Sequence, residues 1–334
     1  YTGKLTVQGV RFYPSKAASV IAVTGDIDVL ATSSKPSTVE TAFSESIADT
    51  SHVYLVKNGS NKAALYVGST ATETIGYVTG DGELSVGGNG AAVVLASNAN
   101  YTFDGTVSKF SNVPVGDSFV VKKGTGTATL TGGLNTSYVP GVAPVFGNQE
   151  GSLVLNGTFT EAGTQVLGGA TLKGTGTVGS VTVDSGGAVA VGNSPGCMTF
   201  GSLNLSSGST WEQEIAGTTA CTQYDQATVT GTAVLGNATL ATTLTANPAD
   251  GTVFTILNAA SVSGTFNGLP DGATFSVNGV TLRINYTATS VTLTKVGGVL
   301  TLAPTGSPAA AYSLLGLMTT ALSGLALRRY QRSK

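Results

Sequence analysis

Gly151-Ser152-Leu153-Val154-Leu155, Gly179-Ser180-Val181-Thr182-Val183 and Gly201-Ser202-Leu203-Asn204-Leu205 repeat one template, each copy opening on Gly-Ser. A weaker fourth copy, Asp225-Gln226-Ala227-Thr228-Val229, follows at a similar interval. Repeats of roughly two dozen residues, each with room for two or three short strands, predict a β-solenoid. A single coil cannot bury its apolar face. Coils stacked about 4.8 Å apart bury a continuous column of Val, Leu and Ala and pair their backbones between neighbours. Glycine marks corners, where a positive φ or a close backbone approach excludes a Cβ.

Residues 1–119 fit the same pattern less explicitly. Lys4-Leu5-Thr6-Val7, Val53-Tyr54-Leu55-Val56, Ala64-Leu65-Tyr66-Val67 and Ala92-Val93-Val94-Leu95 read as short strands. Turn residues separate them, as at Asn58-Gly59, Asp81-Gly82 and Gly87-Gly88-Asn89-Gly90. Residues 35–51, with Pro36, Glu40, Glu45 and Asp49, break the pattern and predict a surface loop or one short helix, either a plain excursion or a binding element. At about 22 residues per coil, residues 1–296 would make about 13 coils and a rod about 65 Å long.

A family resemblance covers residues 120–296. Val121-Lys122-Lys123-Gly124-Thr125-Gly126-Thr127-Ala128-Thr129-Leu130-Thr131-Gly132 resembles the autotransporter-associated β-strand repeat. Leu172-Lys173-Gly174-Thr175-Gly176-Thr177-Val178 through Gly192-Asn193-Ser194-Pro195-Gly196 is similar to the passenger repeat that follows it. The resemblance implies an all-β, right-handed parallel β-helix on a bacterial surface. That family usually ends in an outer-membrane barrel of many amphipathic strands. Here the last strand, Val291 to Lys295, is instead followed by a different kind of tail.

The tail comprises a spacer at 297–308, an uncharged span at 309–327 and a basic end at 328–334. Such a span, if helical, reaches roughly 28 Å, enough for one membrane crossing. The four cationic residues after it would stay cytoplasmic, placing everything upstream outside. Leu302-Ala303-Pro304-Thr305-Gly306 lies just before the span, and this order of pentapeptide, apolar span and basic end resembles the cell-wall sorting signal of sortase substrates. Ala303 departs from the usual Leu-Pro-any-Thr-Gly and is similar to the variant used by class E sortases. The resemblance implies cleavage between Thr305 and Gly306 and transfer of the Thr305 carboxyl to a peptidoglycan amine. A plain tail anchor is the alternative.

Composition narrows the function further. Only 10% of the residues are charged and the pI is near 5.4, so no basic face exists for nucleic acid. No basic region followed by an apolar core opens the chain, which reads as the C-terminal fragment of a longer exported precursor.

Catalytic patterns are sparse. His52 is the lone histidine and sits at a strand end. Asp26-Ile27-Asp28 places two carboxylates on one strand face, as in polysaccharide-cleaving β-helices, without the further Asp, Arg or Lys such sites gather. Gly88-Asn89-Gly90 and the Gly-Thr-Gly runs at 124–126 and 174–176 are turn chemistry outside any phosphate-loop context. No cofactor, metal or catalytic set is read in the chain. Cys197 and Cys221 stand at the same offset before the template copies at 201 and 225, so the two share a phase and predict a disulfide between adjacent coils. Two free buried thiols are the alternative.

The sequence thus reads as a cell-wall-anchored stalk of an adhesin. Its partners would be a class E sortase, peptidoglycan, the membrane through 309–327, and a ligand on a host or neighbouring cell, protein or glycan. A surface-displayed carbohydrate-active β-helix enzyme, its site either in a preceding N-terminal region or around Asp26 and Asp28, is the rival.

Overall fold

The computed structural model describes residues 2–14, 21–41, 44–68, 70–87, 90–109, 119–135 and 145–297. Thirty strands and no α-helix occur among them, and the strands form three sheets of 11, 13 and 6 members. The first sheet runs from Leu5–Gln8 to Thr239–Leu244 with parallel pairing throughout. The third runs from Arg11–Phe12 to Leu134–Asn135, also parallel. The second begins at Thr72–Ile75 and is parallel as far as Val253–Ser263.

The chain visits these sheets in a fixed cycle. From Tyr77–Gly80 in the first it passes to Glu83–Val86 in the third, Ala92–Ala96 in the second, and back to the first at Tyr101–Phe103. This all-β winding, with large parallel sheets, fits a β-solenoid. Beyond Leu134–Asn135 the third sheet ends and the chain alternates between the other two.

Alternation of side chains decides which face is core. Ala128, Leu153, Leu172, Val189 and Trp211 are in register on successive strands of the first sheet, and each is at most 2% exposed. On the second sheet Val93, Val120, Phe146, Thr164, Val181 and Leu203 make the corresponding column. Complete burial of each large apolar side chain contributes roughly 1.5–3 kcal/mol, so stacking is what makes each short coil stable.

Coil length varies more than the template intervals imply. Thr171 is in register with Ala188, a short advance, whereas Cys197 is in register with Gln226, more than half as far again along the chain. Gly151–Leu155 lies in the first sheet, whereas the 179 and 201 copies lie in the second, where Val181 faces Leu203. The fourth copy is offset as well, since Met198 pairs with Ala227 and Phe200 with Val229. Longer coils mean fewer of them. Eleven strands of the first sheet span about 48 Å, less than the length an even repeat predicts.

Residues 35–51 also differ from the expected excursion. Ser37–Thr41 is a largely buried strand of the third sheet, paired with Arg11–Phe12 and Ala63–Val67. Its Val39 supplies the inward side chain that the run of polar residues obscured.

The C-terminal end reverses direction. Ser290–Val296 pairs antiparallel with Val253–Ser263, and Val280–Tyr286 and Thr274–Val277 continue the sheet antiparallel. Phe254, Leu282, Ile284 and Leu293 are fully buried there and close the last coil. Among the described residues no helix is long and apolar enough to cross a membrane. The span 309–327 lies outside the described residues.

Candidate functional site

The most elaborated part of the described structure surrounds residues 192–196, the corner joining Ala188–Val191 of the first sheet to Cys197–Leu205 of the second. Gly192 has φ +86°, and a Cβ on it would lie 2.4 Å from Gly196 Cα. A Cβ on Gly196 would lie 2.6 Å from Gly192 Cα, so each glycine makes the other necessary. The base of the corner exchanges two backbone hydrogen bonds with Gly174, 2.8 Å and 3.2 Å long.

Asp225 holds this corner from the next coil. It is 4% exposed, and its two oxygens accept the amides of Gly196 and Glu214, each at 2.8 Å. Burial pushes its carboxyl up to about 6, against the opposing pull of those amides. The Ser194 hydroxyl donates to Glu214 Oε2. Gln213, buried on the strand Thr210–Ile215, accepts from Trp211 Nε1 at 3.2 Å and donates to the Asp225 carbonyl at 2.8 Å. Nothing in the repeat pattern singles out Gln213. It occupies an inward position where alternation predicts an apolar residue, and that polar interruption is the signal that could have found it.

Cys197 and Cys221 are joined, with Cα atoms 4.7 Å apart. The pairing is as expected, but the shared phase is not. Cys197 is in register with Gln226 rather than Cys221, and Phe200 faces Val229 rather than Tyr224. Cys221 sits instead in the connection 216–225, with φ +67°. There Gln223 Oε1 accepts the amides of Thr218 and Thr219, folding the connection back toward the corner. The bond is at the surface, with Cys221 exposed and Cys197 half-buried.

Beside the corner opens a cleft of about 650 Å³. Its floor follows Lys173, Ala190, Glu212 and Ala241, which are in register on four successive strands of the first sheet. Ala190, Ala241, Asn193 and Ser194 are among its lining residues. Two of its three carboxylates are already engaged, Asp225 by backbone amides and Glu214 by Ser194. Glu212 and Lys173 remain to face a ligand. With hydroxyls and amides but no aromatic lining, the cleft can hydrogen-bond a polar molecule, and it has no assembled acid, base and nucleophile.

The sequence-nominated carboxylates at the other end are likewise occupied. Asp26 Oδ1 accepts the His52 amide at 2.9 Å, and Asp28 pairs with Lys4 at 2.8 Å. His52 donates to or accepts from Thr79 at 2.6 Å and stacks on Tyr77 at 4.4 Å. Burial lowers its pKa, partly offset by Asp26 and Asp28. These contacts link adjacent coils. No group of three or more potential metal ligands occurs among the described residues. The sorting pentapeptide Leu302, Ala303, Pro304, Thr305 and Gly306 lies outside the described residues.

Compared with models of known families and with characterised proteins, the chain matches none.

Proposed function

We propose that this chain is a structural stalk displayed on a bacterial surface, part of an adhesin, built as a right-handed parallel β-helix. Its C-terminus would cross the membrane once through 309–327 and be exchanged for peptidoglycan at Thr305 by a class E sortase. The observation that carries the stalk reading is how the conspicuous polar groups are used: Asp26, Asp28, Asp225 and Glu214 bind backbone or partners on adjacent strands and coils instead of converging on a reacting atom. The Cys197–Cys221 disulfide supports an exported location, since such bonds persist in oxidising compartments. Right-handedness follows the rule that parallel crossovers take that hand in nearly all proteins. The sorting step rests on the sequence order of pentapeptide, apolar span and basic end alone.

Two experiments test the halves separately. Protein released from cell walls by digestion should end at Thr305 bearing a wall fragment, and Thr305→Ala should stay in the membrane fraction. Recovery of wild-type protein with an intact Lys334 from detergent-extracted membranes would leave only a tail anchor. The cleft along Lys173 and Glu212 favours a second reading, a surface carbohydrate-active protein. Release of reducing ends from plant or bacterial polysaccharides, lost in Glu212→Gln, would establish that reading in place of the stalk.

A further inference from the structure

Lys173, Ala190 and Glu212 form one outward-facing row of the first sheet, Lys173 in register with Ala190 and Ala190 with Glu212. Their sequence neighbours Leu172, Val189 and Trp211 are fully buried, and alternation along each strand turns the row away from the core. Ala190 carries only a methyl group, so no long side chain separates the ammonium from the carboxylate. Both charged residues are half-buried and line the cleft beside the 192–196 corner. Among the described residues neither side chain has an ion pair or a hydrogen bond.

Other charges on this sheet are matched. Lys4 and Asp28 neutralise each other at 2.8 Å, Glu214 accepts from Ser194, and Asp225 accepts from two amides. Lys173 and Glu212 instead stand on either side of an interposed strand. A half-buried charge has lost part of its hydration without gaining a counter-charge, so a ligand that supplies both opposite charges gains at both ends.

The sheet sets the spacing such a ligand must match. Two strand intervals of about 4.8 Å put the roots of the two side chains about 9.6 Å apart. A charge-assisted hydrogen bond at each end takes up about 2.8 Å, which leaves about 4 Å between the ligand's own charges. In an α-amino acid the ammonium nitrogen and the far carboxylate oxygen are three bonds apart, about 3.5 Å at standard lengths. The cleft, about 650 Å³, holds more than that backbone and leaves space for a side chain. A neutral sugar would leave both charges unmatched and finds no aromatic ring among the lining residues to stack on.

We propose that the cleft is a binding site for a zwitterionic α-amino acid, its carboxylate held by the Lys173 ammonium and its ammonium by the Glu212 carboxylate. Glu214, on the same face of Thr210–Ile215 as Glu212, adds negative potential where the ligand's ammonium sits. The site makes and breaks no bond. It stands apart from the stalk and sorting readings, and it differs from the polysaccharide reading in the charge of the molecule bound.

Ligand-observed saturation-transfer NMR on the full chain tests it, with free alanine, alaninamide, N-acetylalanine and the neutral disaccharide cellobiose as probes. Alanine should give a saturable response. Alaninamide lacks the carboxylate and N-acetylalanine lacks the ammonium, so each should bind roughly tenfold more weakly or worse. Lys173→Met and Glu212→Gln should each weaken alanine by a similar factor. No saturable response from alanine, equal binding of alanine and its two blocked forms, or a response from cellobiose alone would overturn the proposal. Should either variant fail to fold, the probe series on the wild type decides by itself.

Discussion

Lys122 is 1% exposed, yet its ammonium has a full set of acceptors. It donates to the carbonyls of Lys123 and Glu150, both at 3.0 Å, and to that of Gly124. A buried cation is tolerated only when it is hydrogen-bonded in this way, and here the acceptors belong to corners of two successive coils. Lys122→Met keeps most of the volume but removes the ammonium from three carbonyls, of which only that of Lys123 keeps another donor, the Ser97 amide at 3.3 Å. It should destabilise by about 2–4 kcal/mol, read as a lower denaturant midpoint at unchanged slope. The strand Phe119–Lys123 was legible in the sequence, and its alternation places Val120 and Lys122 on one side. That this side is the core for Lys122 was not, because the atoms that satisfy it are backbone carbonyls, which carry no sequence signature. The Gly192 and Gly196 pair was legible as a corner, and Gly196→Ala should destabilise by about 2 kcal/mol or more because the new Cβ meets backbone rather than a movable side chain.

At the scale of elements, the corner 192–196 and the connection 216–225 act together. Reducing Cys197–Cys221, or replacing both cysteines by serine, should lower stability by about 3 kcal/mol, as expected for a loop of roughly two dozen residues. Calorimetry with and without reductant measures it. Asp225 adds a pH dependence of its own. Its carboxyl rises from 3.8 unfolded to about 6 folded, so its contribution is full below 3.8 and is lost as pH climbs through 6. Asp225→Asn should flatten Tm between pH 4 and 6. These elements show how far a repeat template carries. Glycine spacing located the corners, but coils as unequal as Thr171 to Ala188 and Cys197 to Gln226 destroy any fixed phase. The cysteines met because residues 216–225 fold back on themselves, a geometry set by Gln223 and a positive φ at Cys221. A count from template to template could not contain that.

Among the described residues, the first coil and the last coil are unlike. The C-terminal end is closed by antiparallel strands, whereas the first coil carries three of the most exposed large apolar residues, Val10 at 56%, Tyr13 at 49% and Ile21 at 42%. In a stack where each coil touches only its neighbours, local stability should vary along the stack and be highest beside the antiparallel closure and the crosslinked corner. Hydrogen exchange should therefore be faster at Leu5–Gln8 and Ile27–Leu30 than at Cys197–Leu205 and Gln226–Val234, and uniform protection would argue for a single cooperative unit. The crosslink between Cys197 and Cys221 has a mechanical meaning in such a stack. Under tension, coils peel one after another, and each residue freed adds about 3.4 Å of extension. The 24-residue separation closed by the disulfide withholds about 80 Å of that slack, so a chain pulled with the bond intact should extend about 80 Å less than the reduced chain when these coils unravel.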